Sequence, residues 1–144
     1  MDSVRFNCVV KNTDITVPLG LEIWVDDQKF FDQDHVDQTY QVEYEIRDND
    51  GDHELRFVLK NKQSEHTQVD AEGNIVSDAM ISVSNIQFDE INCDYLITTV
   101  AKYHHDFNGT GNPTTQKFYG ELGCNGTVSL KFTTPIYLWL LENL

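Results

Sequence analysis

Asp48-Asn49-Asp50-Gly51-Asp52 gathers hard oxygen donors at alternate positions, the chemistry a calcium ion takes. A helix-loop-helix calcium loop needs glycine at its sixth position and a bidentate glutamate at its twelfth. Counted from Asp48, glycine falls fourth and Leu59 twelfth, so that register fails. A calcium site of another kind, using Asp48, Asp50 and Asp52 with Asp26 or Asp27 from a second loop, stays open beside the plainer reading of a solvated turn. No cofactor is expected, with calcium the possible exception. His104-His105-Asp106 is the other cluster of ligand types. Adjacent strand residues point to opposite faces, so His104 and His105 do not share one ion. His104 with Asp106 would leave tetrahedral zinc two ligands short.

Catalytic signatures are absent from the chain. There is no Gly-x-Ser-x-Gly elbow, no phosphate-binding loop and no Cys-His nucleophile pattern, and no carboxylate pair stands in an apolar run that would raise a pKa. The expectation is a non-enzymatic protein. Among the aromatics, Trp24, Tyr103, Phe107 and Tyr119 are candidate ring platforms for stacking on the CH faces of sugars, although a core of this size needs several large side chains for itself. With 24 acidic and 10 basic residues the net charge is −14. Such a field repels nucleic acid and anionic lipid, and no Lys or Arg run provides an exception. No apolar stretch reaches membrane-spanning length and no secretory signal opens the chain. Cys8, Cys93 and Cys124 are odd in number and far apart, as expected of free buried thiols in a reducing compartment.

The elements that would position these residues are short and alternating. Tyr40, Val42, Tyr44 and Ile46 alternate with polar residues, Asp50-Gly51 signals a turn, and Leu55, Phe57 and Leu59 resume the alternation. This predicts a hairpin over 40–61 with one apolar face, which needs a covering layer because a lone hairpin is unstable in water. Further strands are expected at 4–11, 21–25, 79–88, 95–104 and 127–132, with Phe6, Cys8, Val10, Val128, Leu130 and Phe132 inward. No βαβ alternation occurs. The chain therefore reads as an all-β antiparallel β-sandwich, jelly-roll-like, over residues 1–133.

Residues 134–144 change character. Thr134 suits a helix cap and Pro135 a first helical position, leading a short C-terminal helix. Ile136, Tyr137, Leu138, Trp139, Leu140 and Leu141 run consecutively, so in a helix they cover nearly its whole circumference. Ile136, Trp139 and Leu140 share one face. The remainder is expected to stay wet unless a second chain covers it, which makes this tail an expected interface whose removal leaves a folded domain; the alternative is a helix sunk between the sheets as part of the same domain.

Gly51-Asp52-His53-Glu54-Leu55-Arg56-Phe57-Val58-Leu59 resembles the strand-turn-strand of jelly-roll carbohydrate-binding modules, some of which hold sugar through calcium. A longer resemblance runs from Ala79 onward. Tyr103-His104-His105-Asp106-Phe107-Asn108-Gly109, Lys117-Phe118-Tyr119-Gly120 and the stretch from Gly123-Cys124-Asn125-Gly126-Thr127 to Pro135 are similar to small uncharacterised proteins of T4-like cyanophages and other marine tailed phages. That resemblance implies a virion component made in the host cytoplasm and carries over no catalytic residue. Its partners would be other phage structural proteins or a second copy, with a surface glycan as the alternative ligand.

The turn and the calcium readings separate cleanly. A site at Asp48, Asp50 and Asp52 would raise stability by about 2.7 kcal/mol at a hundredfold excess of calcium over Kd. The solvated turn predicts the same melting temperature in chelator and in millimolar calcium, and that is the outcome expected from differential scanning fluorimetry.

Overall fold

The computed structural model describes residues 3–47, 51–63, 66–109 and 111–143. Asp48 and Asp50 lie outside the described residues. Alternation of apolar and polar side chains builds two antiparallel sheets. In the first, β1 (Ser3–Asn12) lies between β4 (Tyr40–Arg47) and β8 (Ile81–Phe88), while β9 (Ile91–Asn92) and β12 (Glu121–Leu122) both pair with β8. In the second, β5 (Gly51–Lys60) and β13 (Gly126–Thr134) form the centre. β2 (Gly20–Val25) and β3 (Gln28–Gln33) extend it on the β5 side, β10 (Lys102–His105) and β11 (Thr114–Lys117) on the other. β6 (Thr67–Val69) and β7 (Ile75–Asp78) make a separate two-stranded ribbon, and the helices are α1 (Asp94–Val100) and α2 (Ile136–Asn143). The all-β sandwich with a short C-terminal helix is the observed architecture.

Inward residues of both sheets form one core. Val4, Phe6, Cys8 and Val10 of β1 face Leu21, Ile23, Leu55, Phe57, Val128 and Leu130 of the second sheet, all of them buried. Each large side chain so removed from water contributes about 1.5–3 kcal/mol. Rings cross the interior. Phe6 meets Phe30 edge-on at 5.9 Å and Phe88 at 5.6 Å, and Phe88 meets Phe132 at 5.4 Å. Burial and a neighbouring Asp94 carboxylate push the Cys8 thiol from its ordinary 9.0 up to about 12, and all three cysteines are free.

Two expectations need correction. Residues 40–61 are not a hairpin: β4 pairs with β1 in one sheet, and β5 pairs with β13 and β2 in the other. The apolar alternation of both strands was read correctly, but it reports only that each has one buried face. Two such faces meet equally well across a sandwich as side by side. Residues 95–104 are not one strand either. They form α1, then β10. The β-branched run Ile97-Thr98-Thr99-Val100 favours a strand by side-chain preference. Cys93, Leu96, Ile97 and Ala101 are nevertheless the buried positions, and that spacing is helical. Asp94 secures the helix start by accepting from the backbone N–H groups of Asn85 at 3.1 Å and Ile86 at 2.7 Å.

β8 carries an irregularity that alternation alone does not show. Its register with β1 shifts between Asn7 and Val9, and Asn85 adopts φ 50°. Ile81 and Val83 face inward before this bulge, Ile86 and Phe88 after it, so one extra residue switches the buried set.

Lys62, just beyond β5, is the unexpected core member. Its side chain is 0% exposed. The ammonium donates to the Asp78 carboxylate and to the Gly123 carbonyl, and Thr67 Oγ1 donates to the same carboxylate oxygen. Asn125 brackets the Lys62 backbone, accepting from its N–H and donating to its carbonyl at 2.9 Å each. This polar knot fastens the base of the β6–β7 ribbon, which as a lone pair of strands has little stability of its own. Replacing Lys62 by Ala would leave Asp78 short of its cation, and stability is expected to fall by about 3–5 kcal/mol. Urea denaturation followed by tryptophan emission checks this, and a loss below about 1 kcal/mol would place the pair with weak surface bridges.

Candidate functional site

The four aromatic platforms do not come together. Trp24 on β2 and Tyr103 on β10 are separated by β5 and β13, roughly 14 Å at ordinary strand spacing. Tyr103 is 5% exposed. Its hydroxyl donates to the Cys124 carbonyl and accepts from the Cys124 N–H, and burial drives its pKa upward. Burial removes Tyr103 as a surface platform. Cross-strand neighbours occupy the Trp24 ring, with the Arg56 guanidinium 5.1 Å and the Lys29 ammonium 5.6 Å from its centroid. Its indole N–H donates to Glu22 at 2.9 Å. Phe107, partly exposed after β10, sets its ring edge-on to His105 at 4.8 Å. Tyr119 is 74% exposed. It stands beside a cleft of about 180 Å³ lined by Ser82, Ser84, Asp94, Thr98 and Glu121.

The clustered histidines are held by hydrogen bonds. His104 and His105 point to opposite sides of β10, one exposed and one buried. His104 Nδ1 lies 2.9 Å from Thr115 Oγ1, and His105 Nε2 lies 3.0 Å from Gln116 Oε1. Asp106 accepts from the Gly109 N–H at 2.8 Å. Among the described residues no group of three or more His, Cys, Asp or Glu is arranged to hold a metal ion. Asp52, the one described member of the acidic trio, is exposed at the start of β5.

A different constellation forms where β5, the β2–β3 turn and the end of β13 meet. Asp26 turns the chain at φ 55°. Its Oδ2 lies 2.8 Å from His53 Nδ1 and its Oδ1 accepts from the Glu54 N–H at 2.9 Å. His53 Nε2 faces the Thr134 hydroxyl at 3.3 Å. Acid, imidazole and hydroxyl in line is the order used for nucleophilic catalysis. Here Thr134 is 4% exposed as a residue, and its hydroxyl also reaches the Gly51 carbonyl at 3.5 Å. A substrate carbonyl needs an open approach to such an oxygen, so the arrangement acts as a latch that holds the turn and two strand ends together. In the sequence Asp26 reads only as an extra calcium ligand and His53 only as part of the stretch that resembles carbohydrate-binding modules, because the separations from Asp26 to Glu54 and from His53 to Thr134 are set by pairing between distant strands.

Beside this latch opens the largest of the clefts described here, about 600 Å³, walled by His53, Phe132 and Trp139 and carrying the carboxylates of Asp26, Asp52 and Glu54. Lys131 also lines it. α2 forms its other bank. Ile136, Trp139 and Leu140 are buried, with Trp139 edge-on to Phe132 at 6.1 Å, so one helix face belongs to the common core. Removing 136–144 would therefore open that core, as the reading of the helix as part of the same domain has it. The opposite face is exposed: Leu138 by 58% and Leu141 by 74%, beside a half-exposed Tyr137 whose hydroxyl donates to Asp89 at 3.2 Å. Apolar side chains are also exposed on the β6–β7 ribbon, at Val69, Ile75 and Val76. No described helix is long and apolar enough to cross a membrane. No protein-family model matches the chain, and no curated protein or solved structure is detectably similar to it.

Proposed function

We propose that this chain is a non-enzymatic structural or adaptor component of a tailed-phage particle, on the capsid surface, neck, tail or fibre, that works through protein–protein contact at α2. It would be made in the host cytoplasm and incorporated into the virion. One observation carries the reading. Leu138 and Leu141 are exposed on a helix whose other face is locked into the core, so the chain holds an apolar stripe rigidly toward solvent. Exposed contiguous apolar surface on a soluble protein marks an interaction site, and a rigid presentation lowers the ordering cost of binding. The resemblance from Ala79 onward to small phage proteins supplies the particle as the setting. A photo-crosslinking amino acid at position 138, introduced in the cell that makes the protein, is expected to trap one dominant particle protein. The same residue at position 95, exposed on α1, is expected to trap none in comparable yield. Equal adducts from both positions would overturn the proposal.

A second reading, carbohydrate binding, is favoured by Tyr119 alone. Tyr119, exposed, lines the same cleft as Ser82, Ser84, Thr98 and Glu121, the mixture of flat ring and short polar groups that suits a pyranose. A glycan array comparing the wild type with Tyr119→Ala tests it. Loss of a glycan signal in the variant supports sugar binding, and identical profiles dismiss it.

A further inference from the structure

The proposal for α2 leaves its partner's chemistry open, and the charges around the helix narrow it. At about 100° per residue, Tyr137 and Leu141 lie one above the other, and Leu138 stands beside them. Acids bound this stripe. On one flank Asp89 receives the Tyr137 hydroxyl. On the other, Glu142 follows Leu138 by four residues and shares its surface. Beyond Glu142 comes the Trp139 bank of the cleft, with Asp26, Asp52 and Glu54. Cations stand nearby as well: Arg56 pairs with Glu54 at 3.4 Å and donates to the Asp26 carbonyl at 2.7 Å, Lys131 lines the cleft and Arg5 lies with Asp89 and Glu90, so acids outnumber cations around the stripe.

Resting on the α2 reading, we infer that the occupant of this surface is an amphipathic segment of a different protein, with an apolar stripe flanked by Lys or Arg. The stripe covers Leu138 and Leu141, and a basic side chain enters the cleft beside Trp139 and Phe132. Two aromatic walls with the carboxylates of Asp52 and Glu54 suit a cation that carries an apolar stem, the Asp26 carboxylate being taken by His53 and the Glu54 N–H. Size points the same way. A stable interface buries about 800 Å² per partner, more than the exposed side chains of a two-turn helix provide, so the contact must extend over the cleft. A second copy of this chain fits poorly. It would set the same acidic rim against itself and bring together two bodies of charge −14. The same rim repels anionic bilayers and nucleic acid.

Two synthetic helical peptides test the inference, identical in a leucine stripe and differing in flanks of Lys or Glu. Binding is read by tryptophan fluorescence and by calorimetry on the full chain. The Lys peptide is expected to bind about tenfold or more tightly than the Glu peptide, and to weaken severalfold between about 0.02 and about 0.3 M salt. Leu138→Gln with Leu141→Gln is expected to abolish its binding, and Asp52→Asn with Glu142→Gln to weaken it severalfold, while circular dichroism and melting temperature confirm that both double variants fold. Equal affinity for both peptides, no affinity for either, or undiminished binding to the leucine variant would overturn the basic partner. A concentration-dependent dimer in sedimentation, dissolved by the leucine substitutions, would also overturn it in favour of a second copy. Neither result alters the crosslinking yield at position 138, so the two proposals fail separately.

Discussion

The contact of Phe88 with Phe132, ring to ring at 5.4 Å across the interior, is where the architecture closes. Phe88 ends β8 in one sheet and Phe132 nears the end of β13 in the other. Phe6 continues the line into the first sheet and Trp139 continues it into α2. The two sheets bury their inward faces in one common core, and α2 is seated by the same rings. That is why the helix is at once part of the core and the bearer of an exposed stripe. Its orientation is set by Trp139 and Ile136, and the outward direction of Leu138 and Leu141 follows from helical geometry.

A chain this acidic must dispose of its charge without weakening the fold. Much of it is placed where it is solvated or paired. Lys60 sits among Asp32 at 2.6 Å, Asp34 at 3.0 Å and Glu22 at 3.1 Å. Hydrogen bonding to Asp32, against some desolvation, holds its ammonium well above the ordinary lysine range. Glu22 is pushed up by burial, but hydrogen bonds from Trp24 and Lys60 outweigh that and hold it below the usual carboxylate range. At the edge of the first sheet, β4 turns Glu43 and Glu45 to solvent. A second copy pairing there would oppose like charges, a common device against edge-to-edge association.

The alternation of residues in β1, β2, β5 and β13 determined the all-β class and most inward positions, because a strand with one buried face must repeat every second residue. The consecutive apolar residues at 136–141 likewise specified a helix with more apolar surface than one contact can cover. Only the tertiary structure decided which strands pair. The apolar faces of β4 and β5 satisfy the same burial in one sheet or across two, and local pattern carries no preference between them. The helix at 94–100 shows a competition of signals: β-branched preference spoke for a strand, while the spacing of Cys93, Leu96, Ile97 and Ala101 and the anchoring of Asp94 to β8 settled on a helix. For the site, the stripe on α2 was legible in its own segment. The acidic, aromatic-walled cleft beside it was not, since Asp26, His53 and the Phe132–Trp139 pair lie far apart in sequence and meet through the pairing of β2, β5 and β13 and the seating of α2, a long-range constraint to which no local pattern responds.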